Sequence, residues 1–149
     1  MALRYIKKEG DPILTKKSRP IENFDAKLVQ LIEDMAETMR DANGVGLAGP
    51  QVGILRQVAV VDTGDGLIEL INPEIINQSG EQQEMEGCLS CPGVYGITVR
   101  PMAIEVKAKN RQGNEIILKA EGFKARAICH EIDHLTGILF RKRIIKMLN

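Results

Sequence analysis

The sequence lacks the features that mark several broad classes of protein. Its 149 residues carry 20 Lys and Arg against 20 Asp and Glu, so no excess of positive charge argues for nucleic acid, and we expect no DNA partner. No apolar run is long enough for a membrane span, and the N-terminal stretch has none long enough for a signal peptide. We therefore expect a cytoplasmic protein that makes no membrane contact.

Cysteine is also scarce. The three cysteines are an odd number in a chain without a secretion signal, which argues against a disulfide framework and for free or metal-bound thiols. Hydrophobic residues make up 44% of the chain and charged residues 27%, which is usual for a globular protein. A chain of this length can bury one core without a partner subunit. We expect one domain over residues 1–149 and a monomer.

The apolar pattern of the first half predicts a long amphipathic helix. The helix begins near Asp25 and ends near Asn43 and Gly44, since Asn-Gly is a common helix terminus. Between these points apolar residues recur every three or four positions, with acids and lysine on the other face. They are Leu28, Leu31, Ile32, Met35 and Met39.

Short β-type runs follow the helix, and turn signals separate them. The predicted strands are QVAVVD (57–62), LIELIN (67–72), EIINQSG (74–80), AIEVKAKN (103–110) and EIILKAEG (115–122). A second helix is predicted from Gly122 or Phe123 to Leu135, closed by Gly137. This order indicates an α+β fold with antiparallel β-sheets around a central helix.

The second helix carries both histidines of the chain. His130 and His134 are four residues apart, so both rings point the same way and can bind one ion. Glu131 completes the HExxH pattern, in which the glutamate handles the proton of a water molecule. Two ligands hold a metal poorly, so a further ligand is required. Cys129 is rotated about 100° from His130 around the helix, and we expect it to be a small buried hydrophobic residue.

The stretch EGCLSCPG, residues 86–93, offers that ligand in two ways. If Cys88 and Cys91 both bind, the site is a closed Cys2His2 zinc site with a structural or regulatory role. If Cys88 alone binds, the site is Cys-His-His with a fourth position open to water. Glu131 favours the open site, because a carboxylate beside a ligand has an evident task only where a water must be deprotonated.

The stretch GVGLAGPQVG, residues 44–53, is rich in glycine and ends near the amide of Gln51. It is not a dinucleotide-binding loop, because it follows a helix and its glycine spacing differs. One interpretation is a tight connection from helix to strand. The other is an extended segment that pairs with a peptide-like ligand, while Gln51 donates to a developing oxyanion.

Together, GVGLAGPQ, EGCLS and HEIDH resemble the three signature motifs of peptide deformylases, in the same order and at roughly the same spacing. The stretches GDPILTKKSRPIE and HLTGILF are also similar to that family, in its shorter bacterial form. The resemblance thus covers nearly the whole chain. It implies a hydrolase that removes the formyl group from the N-formylmethionine of newly synthesised polypeptides and releases formate.

The resemblance also implies a role for residues of each motif. Cys88, His130 and His134 would bind one divalent metal ion, Fe2+ in the cell, with Zn2+, Ni2+ or Co2+ as alternatives. Glu131 would act as general base and then as general acid. The metal would make a water reactive at neutral pH, and this water would attack the formyl carbon.

The remaining implied residues bind substrate or stabilise charge. Gln51 and the backbone N–H of Leu89 would stabilise the oxyanion, and Gly46 lies where the loop backbone would pair with the peptide. The methionine side chain requires an apolar slot. The candidates for this slot are Val45, Phe123, Ala127 and the aliphatic part of Arg126.

Two positions depart from the family pattern. Gly49 stands where a second alanine is usual, a change expected to loosen the loop rather than alter the chemistry. Cys91 stands where an aliphatic residue is commoner, and we expect an apolar substitute rather than a ligand. For the basic stretch RKRIIKMLN we expect a solvated end, with transient contact to ribosomal RNA as the alternative. The alternative functions are a structural or regulatory Cys2His2 zinc protein and a zincin-type peptidase.

Overall fold

Two α-helices and eight β-strands make up residues 2–148, the part of the chain that this computed structural model describes. The helices are α1 (Ala26–Asp41) and α2 (Gly122–Leu135). The strands are β1 (Gly46–Ala48), β2 (Val58–Val61), β3 (Ile68–Ser79), β4 (Gln82–Cys88), β5 (Cys91–Arg100), β6 (Ala103–Lys109), β7 (Glu115–Glu121) and β8 (Ile144–Met147). Single-turn 3-10 helices cover Pro12–Thr15, Gly49–Val52 and Phe140–Arg143.

The strands form two antiparallel sheets, in the orders β1-β2-β3-β6-β7 and β4-β5-β8. The α+β class with antiparallel sheets is therefore confirmed. The two separate strands predicted for 67–72 and 74–80 are wrong, because β3 continues through both. Its register shifts between Ile71 and Glu74, where Asn72 has a φ of 51°. Asn-Pro is a turn signal in the sequence, and here it produces an irregularity within one strand.

The strand β2 lies at the centre of the core. Val58 and Val60 pack into the cluster formed with α1, whereas Ala59 and Val61 pack into the cluster formed with α2. All four residues are fully buried. Burial on both faces explains why this strand is continuously apolar rather than alternating. Since full burial of a valine contributes about 1.5–3 kcal/mol, β2 fixes both helices relative to the larger sheet.

The helix α1 begins where an aspartate caps it. The Asp25 carboxylate accepts the backbone N–H of Leu28 at 3.1 Å, which satisfies one of the free donors of the first turn. The helix ends at Asp41, two residues before the predicted terminus. Asn43 has a left-handed φ of 58°, and the Gly44 N–H returns to the carbonyl of Met39 at 2.9 Å. The chain is thereby directed into β1.

The helix α2 follows β7 without a loop. Gly122 has a φ of 61°, which lets the chain turn at once from strand to helix. Cys129 is 5% exposed within the core cluster, as the sequence predicted. After the helix, Gly137 has a φ of 80°, and a Cβ there would lie 2.6 Å from the carbonyl oxygen of Thr15. This close contact fixes the C-terminal end of α2.

The smaller sheet has no counterpart among the predicted strands. Leu89 and Ser90 form the turn that joins β4 to β5, and β8 pairs with the other edge of β5. In β4 only Gln82 and Glu86 are buried, so this strand shows no alternation of apolar residues that sequence could detect. Within residues 2–148, no helix is long and apolar enough to cross a membrane.

Candidate metal and catalytic site

Three side chains that could bind a metal converge where β4 ends against α2. Cys88 is the last residue of β4, and His130 and His134 lie on α2. One potential ligand atom from each lies within 4.8 Å of the other two, and Cys88 Sγ is 3.5 Å from His134 Nε2. Among residues 2–148 this group does not include Cys91. The residues that converge are therefore those of the Cys-His-His set.

A buried carboxylate orients the first histidine. His130 Nδ1 lies 2.9 Å from Glu86 Oε1, which leaves Nε2 to face the site. The Thr98 hydroxyl donates to Glu86 Oε2 at 2.6 Å, and Arg100 donates to both carboxylate oxygens at 3.0 Å. Burial alone would raise the pKa of Glu86, but the hydrogen bonds from His130 and Arg100 outweigh it and lower the pKa to about 2. Glu86 is thus an anion at any physiological pH.

The network continues through Arg100 to Asp133 on α2. Arg100 is 4% exposed, and its Nη1 donates to Asp133 Oδ2 at 2.6 Å. Asp133 also accepts two hydrogen bonds from Arg143, at 3.0 and 3.1 Å. Although burial disfavours the guanidinium charge, the two carboxylates raise the pKa of Arg100. The buried charges are therefore paired with one another. Removing one partner would leave the other buried without a counter-charge and would strongly destabilise the fold.

The second histidine is suited to binding a cation. Burial, and secondly the charge of His130, lower the pKa of His134 well below its usual value, so its ring is neutral, as a metal ligand must be. His134 Nδ1 and Glu131 Oε1 are buried and have no hydrogen-bond partner among the described residues. Buried polar atoms are rarely left unsatisfied unless a site binds something further. A thiol and two imidazoles fit a divalent transition metal.

Glu131 lies on α2 beside these ligands and is 4% exposed. Burial is the main reason that its pKa is raised to about 7. Gly46 of β1 lies directly against it, and a Cβ on Gly46 would be 2.4 Å from Glu131 Oε2. The carboxylate therefore occupies space that only glycine leaves open.

Gln51 extends from its 3-10 helix toward the end of β4. Its Oε1 accepts the Ala48 N–H at 2.9 Å, and its Nε2 donates to the Ser90 hydroxyl at 3.0 Å. The same Nε2 lies 3.7 Å from Cys88 Sγ. Because both ends of the amide have fixed partners, its N–H groups face the thiol rather than turning away.

The remaining predicted site residues surround this centre. Leu89 lies in the turn immediately after Cys88, and a Cβ on Gly44 would be 2.6 Å from its side chain. Val45 is 40% exposed and precedes β1. The other three candidates for the methionine slot lie on the first turns of α2, where Ala127 is buried and Phe123 is exposed. The Phe123 ring lies 5.0 Å from Arg126 Cζ.

Cys91 is placed beside the site but points to other partners. It is 2% exposed and shares side-chain hydrogen bonds with Cys88 and Glu9. Arg141 donates to the Glu9 carboxylate at 2.6 and 2.8 Å. This ion pair joins the N-terminal segment to the last 3-10 helix, and both of its charges act on Cys91.

Several functional neighbours were not found from the sequence. Glu86 and Ser90 belong to the EGCLS stretch, and the position of a glutamate two residues before Cys88 was a signal that could have identified the first. Arg100 had no such signal, since it reaches Glu86 only through the pairing of β4 with β5.

An α+β fold that brings the HExxH pattern of α2 against the cysteine at the end of β4 has the donor set that a metal-dependent hydrolase requires. The polypeptide deformylase family model matches residues 3–149. The peptide deformylase of Acetivibrio thermocellus is 53% identical over 149 residues, which are all of this chain and 88% of that protein. That of Alkaliphilus metalliredigens is 54% identical, over 98% of this chain and 99% of its own. The chain belongs to the polypeptide deformylase family.

Solved structures agree with this assignment. A crystal structure of peptide deformylase from Thermotoga maritima has a TM-score of 0.94 at 42% identity, covering 95% of this chain and 97% of that one. The enzyme from Ehrlichia chaffeensis, in complex with actinonin, also has a TM-score of 0.94, at 37% identity. It covers 97% of this chain and 90% of that one.

Proposed function

We propose that this enzyme removes the formyl group from the N-terminal N-formylmethionine of newly synthesised polypeptides and releases formate. The observation that carries the proposal is the convergence of Cys88, His130 and His134 beside the buried Glu131, in a chain of the deformylase family. The reaction is hydrolysis of a formamide. Water oxygen adds to the formyl carbon, the carbon–nitrogen bond breaks, and the nitrogen gains a proton.

The metal ligands are Cys88 Sγ and one ring nitrogen each of His130 and His134. A bound divalent cation would acidify water and polarise the formyl carbonyl. Sulfur and imidazole donors suit Fe2+, Co2+, Ni2+ and Zn2+ better than Mg2+ or Ca2+, and we propose Fe2+ in the cell. Glu86 supports this set by holding the His130 ring, since such partners commonly change metal affinity 10–100-fold.

Glu131 moves the proton. With its pKa raised to about 7, chiefly by burial, the carboxyl group can accept a proton from water and return it to the departing nitrogen near neutral pH. Its unpartnered Oε1 is available for the first of these transfers. Gly46 keeps the other oxygen close to β1, where the substrate backbone would lie.

Gln51 and Leu89 stabilise the negative charge that develops on the formyl oxygen. Gln51 Nε2 is fixed near Cys88 by Ser90 and Ala48, and the Leu89 N–H lies in the adjoining turn. Donors that are already oriented cost no reorganisation during the reaction, and one such donor is worth roughly 10²–10³-fold in rate.

The edge strand β1 binds the peptide. It pairs with β2 on one side and with no strand on the other among residues 2–148, so an extended peptide can add to its free edge. The methionine side chain then enters a slot formed by Val45, Phe123, Ala127 and the stem of Arg126. The residues act as one catalytic domain, a cytoplasmic monomer whose basic C-terminal stretch contacts the ribosome transiently.

Formate release tests the proposal directly. Anaerobically prepared protein of known metal content is given formyl-Met-Ala-Ser, acetyl-Met-Ala-Ser and an unblocked longer peptide. Formate from the first alone, with no internal cleavage, supports the deformylase. Cleavage of the longer peptide would indicate a zincin-type peptidase. No release of formate by metal-loaded protein would overturn the proposal.

A further inference from the structure

Cys88 and Cys91 oppose each other across the turn that joins β4 to β5. They are register partners in this antiparallel pair, and directly opposed residues have Cα atoms about 4.5–5.5 Å apart. Disulfides span Cα separations of about 4.4–6.8 Å. The two side chains already share a hydrogen bond. A bond between the sulfurs therefore requires no large movement of the backbone.

The surroundings of the two sulfurs differ. Cys88 is partly exposed on the side of the site, with His134 Nε2 and Gln51 Nε2 at 3.5 and 3.7 Å from its sulfur. Cys91 is buried and is influenced by the charges of the Glu9 and Arg141 ion pair. A small oxidant entering the site thus meets Cys88 first, while Cys91 is held within reach.

We propose that Cys88 and Cys91 form an oxidation site that closes reversibly to a disulfide when the enzyme meets a hydroperoxide. The Cys88 sulfur attacks the peroxide O–O bond and becomes a sulfenic acid, and the peroxide leaves as water or an alcohol. The Cys91 sulfur then displaces the hydroxyl of this sulfenic acid, which leaves as water with the Cys91 proton. Two thiols lose two electrons in all, and one peroxide gains them.

The disulfide has two consequences, and both rest on the proposed role of Cys88 as a ligand. It removes one of three donors, so the metal is released. It also stops oxidation at a stage that a dithiol reverses, whereas a lone cysteine proceeds to sulfinic and sulfonic acids that are not recovered. Cys91, which stands where the family commonly has an aliphatic residue, converts permanent damage at Cys88 into a temporary loss of metal.

Mass mapping of metal-stripped protein tests the proposal without reference to activity. The protein is treated with a small excess of hydrogen peroxide, alkylated and digested without reduction. We expect a peptide that contains both cysteines to lose the mass of two hydrogens, and Cys129→Ser to behave in the same way, since Cys129 lies in the core. Oxygen additions on Cys88 with no disulfide in the unsubstituted protein would overturn the proposal.

Variants at Cys91 supply the second arm. Cys91→Val keeps the buried position apolar and Cys91→Ser keeps its size, and both should bind metal and release formate as the unsubstituted enzyme does. After peroxide, dithiothreitol and reloading with metal, the unsubstituted enzyme should recover its metal content, whereas both variants should remain deficient and carry two or three added oxygens on Cys88. Equal recovery by all three proteins would also overturn the proposal. If the metal-loaded enzyme releases no formate before peroxide is added, the proposed function is contradicted. The mass mapping still tests the disulfide in that case, because it does not depend on activity.

Discussion

Glu131 Oε2 occupies the space beside Gly46 so closely that a Cβ on that glycine would lie 2.4 Å away. The contact joins the edge strand, where a peptide can pair, to the group proposed to move the proton. Gly46 does not have a positive φ, the backbone conformation that favours glycine. Glycine is required at this position because the neighbouring carboxylate leaves no space for a side chain, not because of the backbone conformation.

Gly46→Ala should reduce activity far more than metal binding. The added methyl must displace either the Glu131 carboxylate or β1, and a displacement of about 1 Å at a reacting group can cost roughly 10²-fold in rate. The measurement is kcat/KM for formate release together with metal content. A variant that loses its metal, or that keeps near-normal kcat/KM, would contradict this account of the contact.

Glu131→Gln should abolish turnover and retain the metal. Once EDTA has removed the metal, the variant should be more stable at high pH than the unsubstituted protein. The folded-state pKa of about 7 lies above the unfolded value of 4.5, so the stability that Glu131 contributes is present below pH 4.5 and is lost as pH rises through 7. A glutamine avoids this cost, which at pH 8 is at most about 3 kcal/mol. Urea unfolding in EDTA at pH 5 and pH 8 checks the difference. A stabilisation independent of pH would exclude ionisation of Glu131 as its cause.

Glu86→Gln should weaken metal binding and lower stability. The substitution removes a negative charge that pairs with both His130 and Arg100, so we expect a loss of about 10–100-fold in metal affinity. The matched control is Glu105→Gln, because Glu105 forms an ion pair with the exposed Lys119 at 3.8 Å and such pairs contribute little. Competition with a chelator measures both affinities. Equal metal affinities for the two variants would show that Glu86 does not support metal binding.

Ser90→Ala should lower kcat while leaving metal content unchanged. Without its hydroxyl, Gln51 Nε2 loses the partner at 3.0 Å and its amide can rotate away from Cys88. We expect a decrease of about tenfold or more in kcat, less than the roughly 10²–10³-fold loss from removing a donor outright. Ser90→Thr retains a hydroxyl and should restore part of the rate. If Ser90→Ala raised KM alone, Ser90 would act on substrate binding rather than on Gln51.

The elements that the sequence predicted are those with local signals. Runs of alternating or continuous apolar residues indicated β2, β6 and β7 near their observed bounds. The strand β5 was missed although its residues VYGITV favour a strand. The strand β4 was missed because its residues are mostly polar and are stabilised by contacts between distant parts of the chain. Gln82, for example, donates to the carbonyls of Pro101 and Gly122. No window of the sequence contains both halves of such a contact.

The site shows the same division. Spacing alone brought His130 and His134 to one face, and the motif resemblance added Cys88, which the structure places with them. The residues that hold this group in position required the fold. Arg100 and Asp133 are 33 positions apart. Asp133 directly precedes His134, but Arg100 is next to none of the three converging residues in the sequence. Sequence therefore indicated which atoms converge but gave no account of what orients them.

The ion pair between Glu9 and Arg141 joins residues 132 positions apart, and both of its charges act on Cys91. During synthesis, Arg141 is made 132 residues after Glu9. At roughly 5–20 residues per second, several seconds pass between the appearance of the first half of this contact and the second. The ion pair beside Cys91 can therefore form only after Arg141 has been made, so this side of the site is completed later in synthesis than the strands β4 and β5 that carry Cys88 and Cys91.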